Sequence, residues 1–103
     1  MIRSYKNKET KEVHDGKRSQ RLDVLSRKAH RKLDQIHNAA ELNDLSVPPG
    51  NNLERMQGRA RSGQYSIRIN DKWRICFRWN EVTGHAEDVE IVDYYDESRS
   101  RHK

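Results

Sequence analysis

The stretch Gln64-Tyr-Ser-Ile-Arg-Ile-Asn-Asp-Lys-Trp-Arg-Ile-Cys-Phe-Arg-Trp79 decides the fold. Tyr65, Ile67 and Ile69 alternate with Ser66 and Arg68; Trp73, Ile75, Phe77 and Trp79 alternate with Arg74, Cys76 and Arg78. This period of two is the pattern of two half-buried strands, and Asn70-Asp71-Lys72 supplies the turn of a hairpin. Side chains at i and i+2 share a face, so the apolar set is expected in the core with Arg68, Arg74 and Arg78 together on the opposite face. Arginine stays charged and offers a planar fork of donors that matches phosphate, so a nucleic-acid backbone is the first candidate ligand.

Working outward, Met1–Tyr5 reads as a short strand and Asn7–Val13 as a short helix ending at Gly16. Leu22, Leu25, Ala29, Leu33, Ile36 and Ala40 recur at spacings of three and four, the stripe of an amphipathic helix that Ser19 is expected to cap. Its remaining faces carry Arg21, Arg27, Lys28, Arg31 and Lys32, read as a solvated surface. Ala40–Leu45 is expected to add a final turn, and Val47-Pro-Pro-Gly-Asn-Asn52 must end any helix because proline cannot continue the hydrogen-bond ladder. Leu53–Gln57 reads as a strand, Gly58–Gly63 as a basic loop, and Ala86–Tyr95 as the last strand. Helices precede strands, so the expectation is an α+β domain, residues 1–95, with helices on one face of a mainly antiparallel sheet and the other face free for ligand. Residues 96–103 lack apolar side chains and are expected to be a disordered tail.

Composition narrows the function classes. The 103 residues are 32% hydrophobic and 36% charged with a formal net charge of +5, which favours one small domain and an anionic partner. The single cysteine, Cys76, cannot form an internal disulfide, and no apolar run approaches the ~20 residues of a membrane span, so the cytoplasm is the default location. The five histidines lack metal-ligand spacing, and neither a glycine-rich phosphate loop nor a nucleophile elbow is present; no cofactor or metal is expected.

Charge separates within the second half. Arg55, Arg59, Arg61, Arg68, Lys72, Arg74 and Arg78 precede an acidic block of Glu81, Glu87, Asp88, Glu90, Asp93, Asp96 and Glu97. A phosphate groove must therefore use the first block. Metal-free RNA cleavage needs a group to take the 2′-OH proton, a cation for the phosphorane and an acid for the leaving oxygen. Arg74 suits the cation role, and Asp93-Tyr94-Tyr95 offers a carboxylate and two phenols for proton transfer or base stacking. The same residues are equally compatible with a surface ion pair to Glu90 or Asp93 and with tyrosines that close a core.

Ser46–Asn51, Leu53-Glu54, Ser66–Asn70, Trp73–Trp79 and Val89–Tyr94 together resemble the HigB-like toxins of bacterial type II toxin–antitoxin modules, in the RelE/ParE superfamily. The resemblance implies a compact, microbial-ribonuclease-like α+β fold and a toxin that enters the ribosomal A site and cuts mRNA there. It also implies neutralisation by a HigA-type helix-turn-helix antitoxin. By this resemblance Arg74 matches the catalytic arginine, and Asp93 and Tyr94 match the acidic and tyrosine positions before the C-terminal catalytic residue. Tyr95 stands where the family commonly has histidine, and Glu54 where many relatives share a glutamate. Two other readings fit a basic α+β chain: a ParE-type gyrase inhibitor that cuts nothing, and a plain basic RNA-binding module.

Overall fold

The computed structural model describes residues 1–58 and 63–93. Asn7 caps the first helix, α1 (Lys8–His14), its Oδ1 accepting the Thr10 amide at 2.9 Å, and Gly16 leaves it with a φ of +95°. The second helix, α2 (Ser26–Asn38), buries Ala29, Leu33 and Ile36 along one stripe. Four strands follow, β1 (Glu54–Arg55), β2 (Gln64–Arg68), β3 (Trp73–Asn80) and β4 (His85–Asp93), paired antiparallel in sequence order. The expected α+β architecture is present, with both helices contacting β4 and the apolar side chains of the sheet.

The hairpin forms as its alternation requires. Ile67, Ile69, Trp73, Ile75 and Phe77 enter one core with Val13, Leu22, Leu33, Ile36 and Leu45, while Tyr65 and Trp79 pack against its margin. Asn70 closes the turn through its side chain, Oδ1 accepting the amides of Lys72 at 2.9 Å and Trp73 at 2.8 Å. The first residues run beside β4 by isolated parallel bridges, Ile2 to Ala86 and Tyr5 to Val89, so the expected N-terminal strand is reduced to two bridges.

Several expectations need correction. The stripe from Leu22 to Ala40 is not one helix: Asp23–Leu25 is a 3₁₀ turn, with Asp23 at a φ of +49°, and α2 starts only at Ser26. Ser19 caps neither element; its Oγ accepts the Leu22 amide at 3.3 Å, one residue before the 3₁₀ turn begins. Leu22 and Leu25 still reach the core because spacings of three serve 3₁₀ and α turns alike. Ala40 is exposed beyond the helix end, and Leu42–Ser46 forms a separate 3₁₀ turn. β1 is two residues long rather than five.

β4 carries an irregularity. Trp79 pairs with Ala86 and Cys76 with Glu90, so the register shifts between Cys76 and Arg78, and Asp88 takes a φ of +52°. An extra residue on β4 restores Val89 and Ile91 to the core side, which a strict alternation from Ala86 would have turned outward.

Candidate active site

The face of the sheet opposite the helices carries Glu54 from β1, Ser66 and Arg68 from β2, and Arg74, Cys76 and Arg78 from β3. Glu54 lies across from Ser66, Ser66 from Cys76, and Arg68 from Arg74, so strand pairing places these residues side by side. This face, expected from the sequence to be free for ligand, is covered at its centre. Gln64, Ser66, Arg74 and Cys76 are all buried, and Cys76 packs with Met56 and Val92 in a second small cluster.

Arg74 is 4% exposed. Its Nε donates to Ser66 Oγ at 2.9 Å, and its Nη2 donates to the Asn52 carbonyl at 2.7 Å, with the Ser66 carbonyl at 3.4 Å. Glu54 Oε2 lies 3.7 Å from Nη2. A buried cation is tolerable only when its donors are matched in this way. The Glu54 side chain is 47% exposed, so one side of the ion pair is fixed and buried while the other faces solvent. A proton acceptor beside a guanidinium of fixed direction is the arrangement that phosphoryl chemistry on RNA needs.

The remaining cations of the sheet are differently disposed. Arg68 pairs with Asp71 at the hairpin turn, Arg78 Nε with Asp88 at 3.4 Å, and Lys72 with Asp93 at 3.8 Å. All three pairs are solvent-accessible on at least one partner, and such pairs contribute little, so a phosphate could replace the carboxylate. Arg55 is exposed on β1. Arg59, Arg61, Tyr94 and Tyr95 lie outside the described residues.

Asp93 is not brought to Arg74. It pairs in register with Trp73, and directly opposed residues project from the same face of a sheet, so the Asp93 carboxylate leaves β4 on the helix side and meets Lys72. Val92 is the residue opposite Arg74. The acid that does reach Arg74 is Glu54.

The cations of α2 form a contrasting group. Arg27, Lys28 and Arg31 are exposed and make no ion pair with the described carboxylates. Lys32 is partly buried and donates to Asn51 Oδ1; burial, then the nearby charges of Lys28 and Arg31, push its ammonium pKa down. Arg21 bonds Glu9 and lies 4.6 Å over the Trp73 ring. What sequence reasoning missed is the role of the segment before β1: Val47–Asn52 reads as a helix-ending loop, yet Asn52 supplies Arg74 through a backbone carbonyl, which no residue type signals.

The model of the HigB-like toxins, described as RelE-like toxins of type II toxin–antitoxin systems, matches residues 3–98. The chain belongs to the HigB-like toxin family. It is 31% identical over 81 residues to Toxin HigB-1 of Vibrio cholerae serotype O1, covering 77% of this chain and 84% of that one. An uncharacterized protein of Haemophilus influenzae is 41% identical over 54 residues, about half of each chain. A HigB-like toxin of a type II module implies an antitoxin as protein partner. Among the described residues, no helix of this HigB-like chain is long and apolar enough to cross a membrane.

Proposed function

We propose that this HigB-like toxin is a metal-independent endoribonuclease that cuts translated mRNA in the ribosomal A site of the bacterial cytoplasm and is held in check by a HigA-type helix-turn-helix antitoxin. The observation that carries the reading is the pairing of a buried Arg74, held by Ser66 and the Asn52 carbonyl, with a solvent-facing Glu54 carboxylate 3.7 Å away. Glu54 accepts the 2′-OH proton as that oxygen attacks the adjacent phosphorus, and Arg74 neutralises charge on the phosphorane. The bond from phosphorus to the 5′-oxygen breaks, a proton from Tyr94 or Tyr95 passes to the leaving oxygen, and a 2′,3′-cyclic phosphate forms. Arg55, Arg59, Arg61, Arg68, Lys72 and Arg78 hold the flanking phosphates, with Arg68, Lys72 and Arg78 exchanging the carboxylates of their weak surface pairs for RNA.

The test is growth arrest and 5′-end mapping of cellular mRNA after expression without antitoxin, with Arg74→Ala beside the wild type. Cuts confined to translated frames and ending in cyclic or 3′-phosphate are expected. Arg74→Ala should lower cleavage by roughly 10²–10³-fold, the loss typical of removing one oxyanion donor. Inhibited gyrase with intact mRNA would replace this reading with that of a ParE-type inhibitor, and wild-type cleavage by Arg74→Ala would misplace the active site.

A further inference from the structure

We propose that Asn51, tied to α2 through Lys32, is a positioning residue for Arg74, acting through the left-handed backbone of Asn52. The inference rests on the reading of Arg74 as the catalytic cation. Asn51 is completely buried, and its amide is used on both sides. Oδ1 accepts from Lys32 Nζ, while Nδ2 faces Gln35 Oε1 at 3.0 Å, the Leu45 carbonyl at 3.1 Å and the Val47 carbonyl at 3.4 Å. Only one orientation of the amide satisfies this set, because reversing it would aim NH₂ at an ammonium and oxygen at three acceptors. The side chain therefore fixes the end of the Pro49–Asn51 turn against both α2 and the 3₁₀ segment Leu42–Ser46.

The direction of the next residue follows from that anchor. Asn52 adopts φ +44° and ψ +57°, with its amide bonded to the Pro49 carbonyl at 3.0 Å and its side chain exposed. This conformation turns the Asn52 carbonyl onto Arg74 Nη2 and delivers Glu54, two residues on, into register with Ser66. Ser66 in turn accepts from Arg74 Nε. Two of the partners that surround the guanidinium, Asn52 and Glu54, thus come from the three residues that follow the anchor. Asparagine tolerates the left-handed region, glycine occupies it freely, and a β-branched residue does not.

That hierarchy supplies the experiment. Asn51→Ala, Asn52→Val and Asn52→Gly are compared in the purified, ¹⁵N-labelled full-length toxin by the Arg74 Nε–H resonance and its exchange with solvent. Ribosome binding and single-turnover cleavage of ribosome-bound mRNA are measured alongside. Asn51→Ala and Asn52→Val should displace the Arg74 resonance and slow cleavage roughly tenfold to hundredfold, with ribosome binding unchanged, as a misaimed catalytic group would. Asn52→Gly keeps both the carbonyl and the backbone conformation and should keep the resonance and the rate. A role confined to stability would lower the melting temperature of Asn51→Ala while leaving the resonance and the rate of the folded fraction unmoved, and would overturn the proposal. If Asn51→Ala does not fold, the Asn52 pair decides: identical Arg74 resonances in Asn52→Val and Asn52→Gly would also overturn it. Absence of cleavage in the wild type would refute the ribonuclease reading alone, since the resonance reports Arg74 without any substrate.

Discussion

Strand β3 buries side chains on both of its faces and holds them by opposite means. Trp73, Ile75 and Phe77 are covered by helices and by one another, whereas Arg74 and Cys76 are covered on the other side, where the charge of Arg74 is met by Ser66, Asn52 and Glu54. Burial of the first kind scales with area and is indifferent to direction. Burial of the second kind is directional, because every donor needs an acceptor at a particular place. A sheet can therefore be rebuilt on its apolar side with little harm to chemistry, while its polar side is intolerant of small displacements.

The contrast can be broken by substitution. Phe77→Ala, at a site with no solvent exposure, should lower unfolding free energy by about 3–5 kcal/mol, and the volume-conserving Phe77→Leu by less than about 1.5 kcal/mol, both by denaturant titration. Ser66→Ala should cost less, about 1–3 kcal/mol for stranding the Arg74 Nε donor, yet lower cleavage far more than Phe77→Leu does. If Phe77→Leu harmed cleavage more than Ser66→Ala, the division of labour between the faces would be wrong.

Smaller effects lie at the margins of the helical layer. His37 Nδ1 accepts the Ile2 amide at 3.2 Å, and burial, then His14 and the N-terminal amine, depress its pKa against the opposing pull of Asp34. A depressed histidine pKa means that the unfolded chain binds the proton first. Stability is therefore full above the unfolded value of about 6.5 and is lost as pH falls through the interval down to the folded pKa. Thermal melts between pH 8 and pH 5 should show this loss, with a shallower slope in His37→Gln. Smallest of all, Val82→Asp at the 95% exposed β3–β4 turn should change stability by no more than about 0.5 kcal/mol.

Legibility in the sequence followed the same division. Trp73-Arg-Ile-Cys-Phe states which side chains share a face, because the period of a strand is fixed by its pleat. It does not state how a neighbouring strand is registered, and a shift of one residue would exchange Asp93 for Val92 opposite Arg74. The consecutive acids Glu87-Asp88 were the visible trace of the irregularity in β4, since neither suits a core position. Helical spacing from Leu22 to Leu25 could not separate a 3₁₀ turn from the helix that follows, because both put every third residue on one side. Glu54 came to notice through resemblance; its contact with Arg74 depends on a turn whose bonds are between a side chain and backbone carbonyls, and such bonds leave no periodicity to read.

The bridges between the first residues and β4 impose an order in time. The amides of Arg3 and Lys6 bond the carbonyls of Ala86 and Val89, and Thr10 Oγ1 accepts the Ile91 amide, so residues 1–10 find their strand partners in the last of the four strands to be synthesised. Contacts separated by some 80 residues cannot form by local search and depend on closure of nearly the whole chain. A nascent polypeptide halted before His85 has an N-terminal segment with no β4 to join, and the guanidinium site on β3 lacks the flank that β4 provides. The folded toxin is thus acquired as synthesis of the sheet finishes, not accumulated along the way.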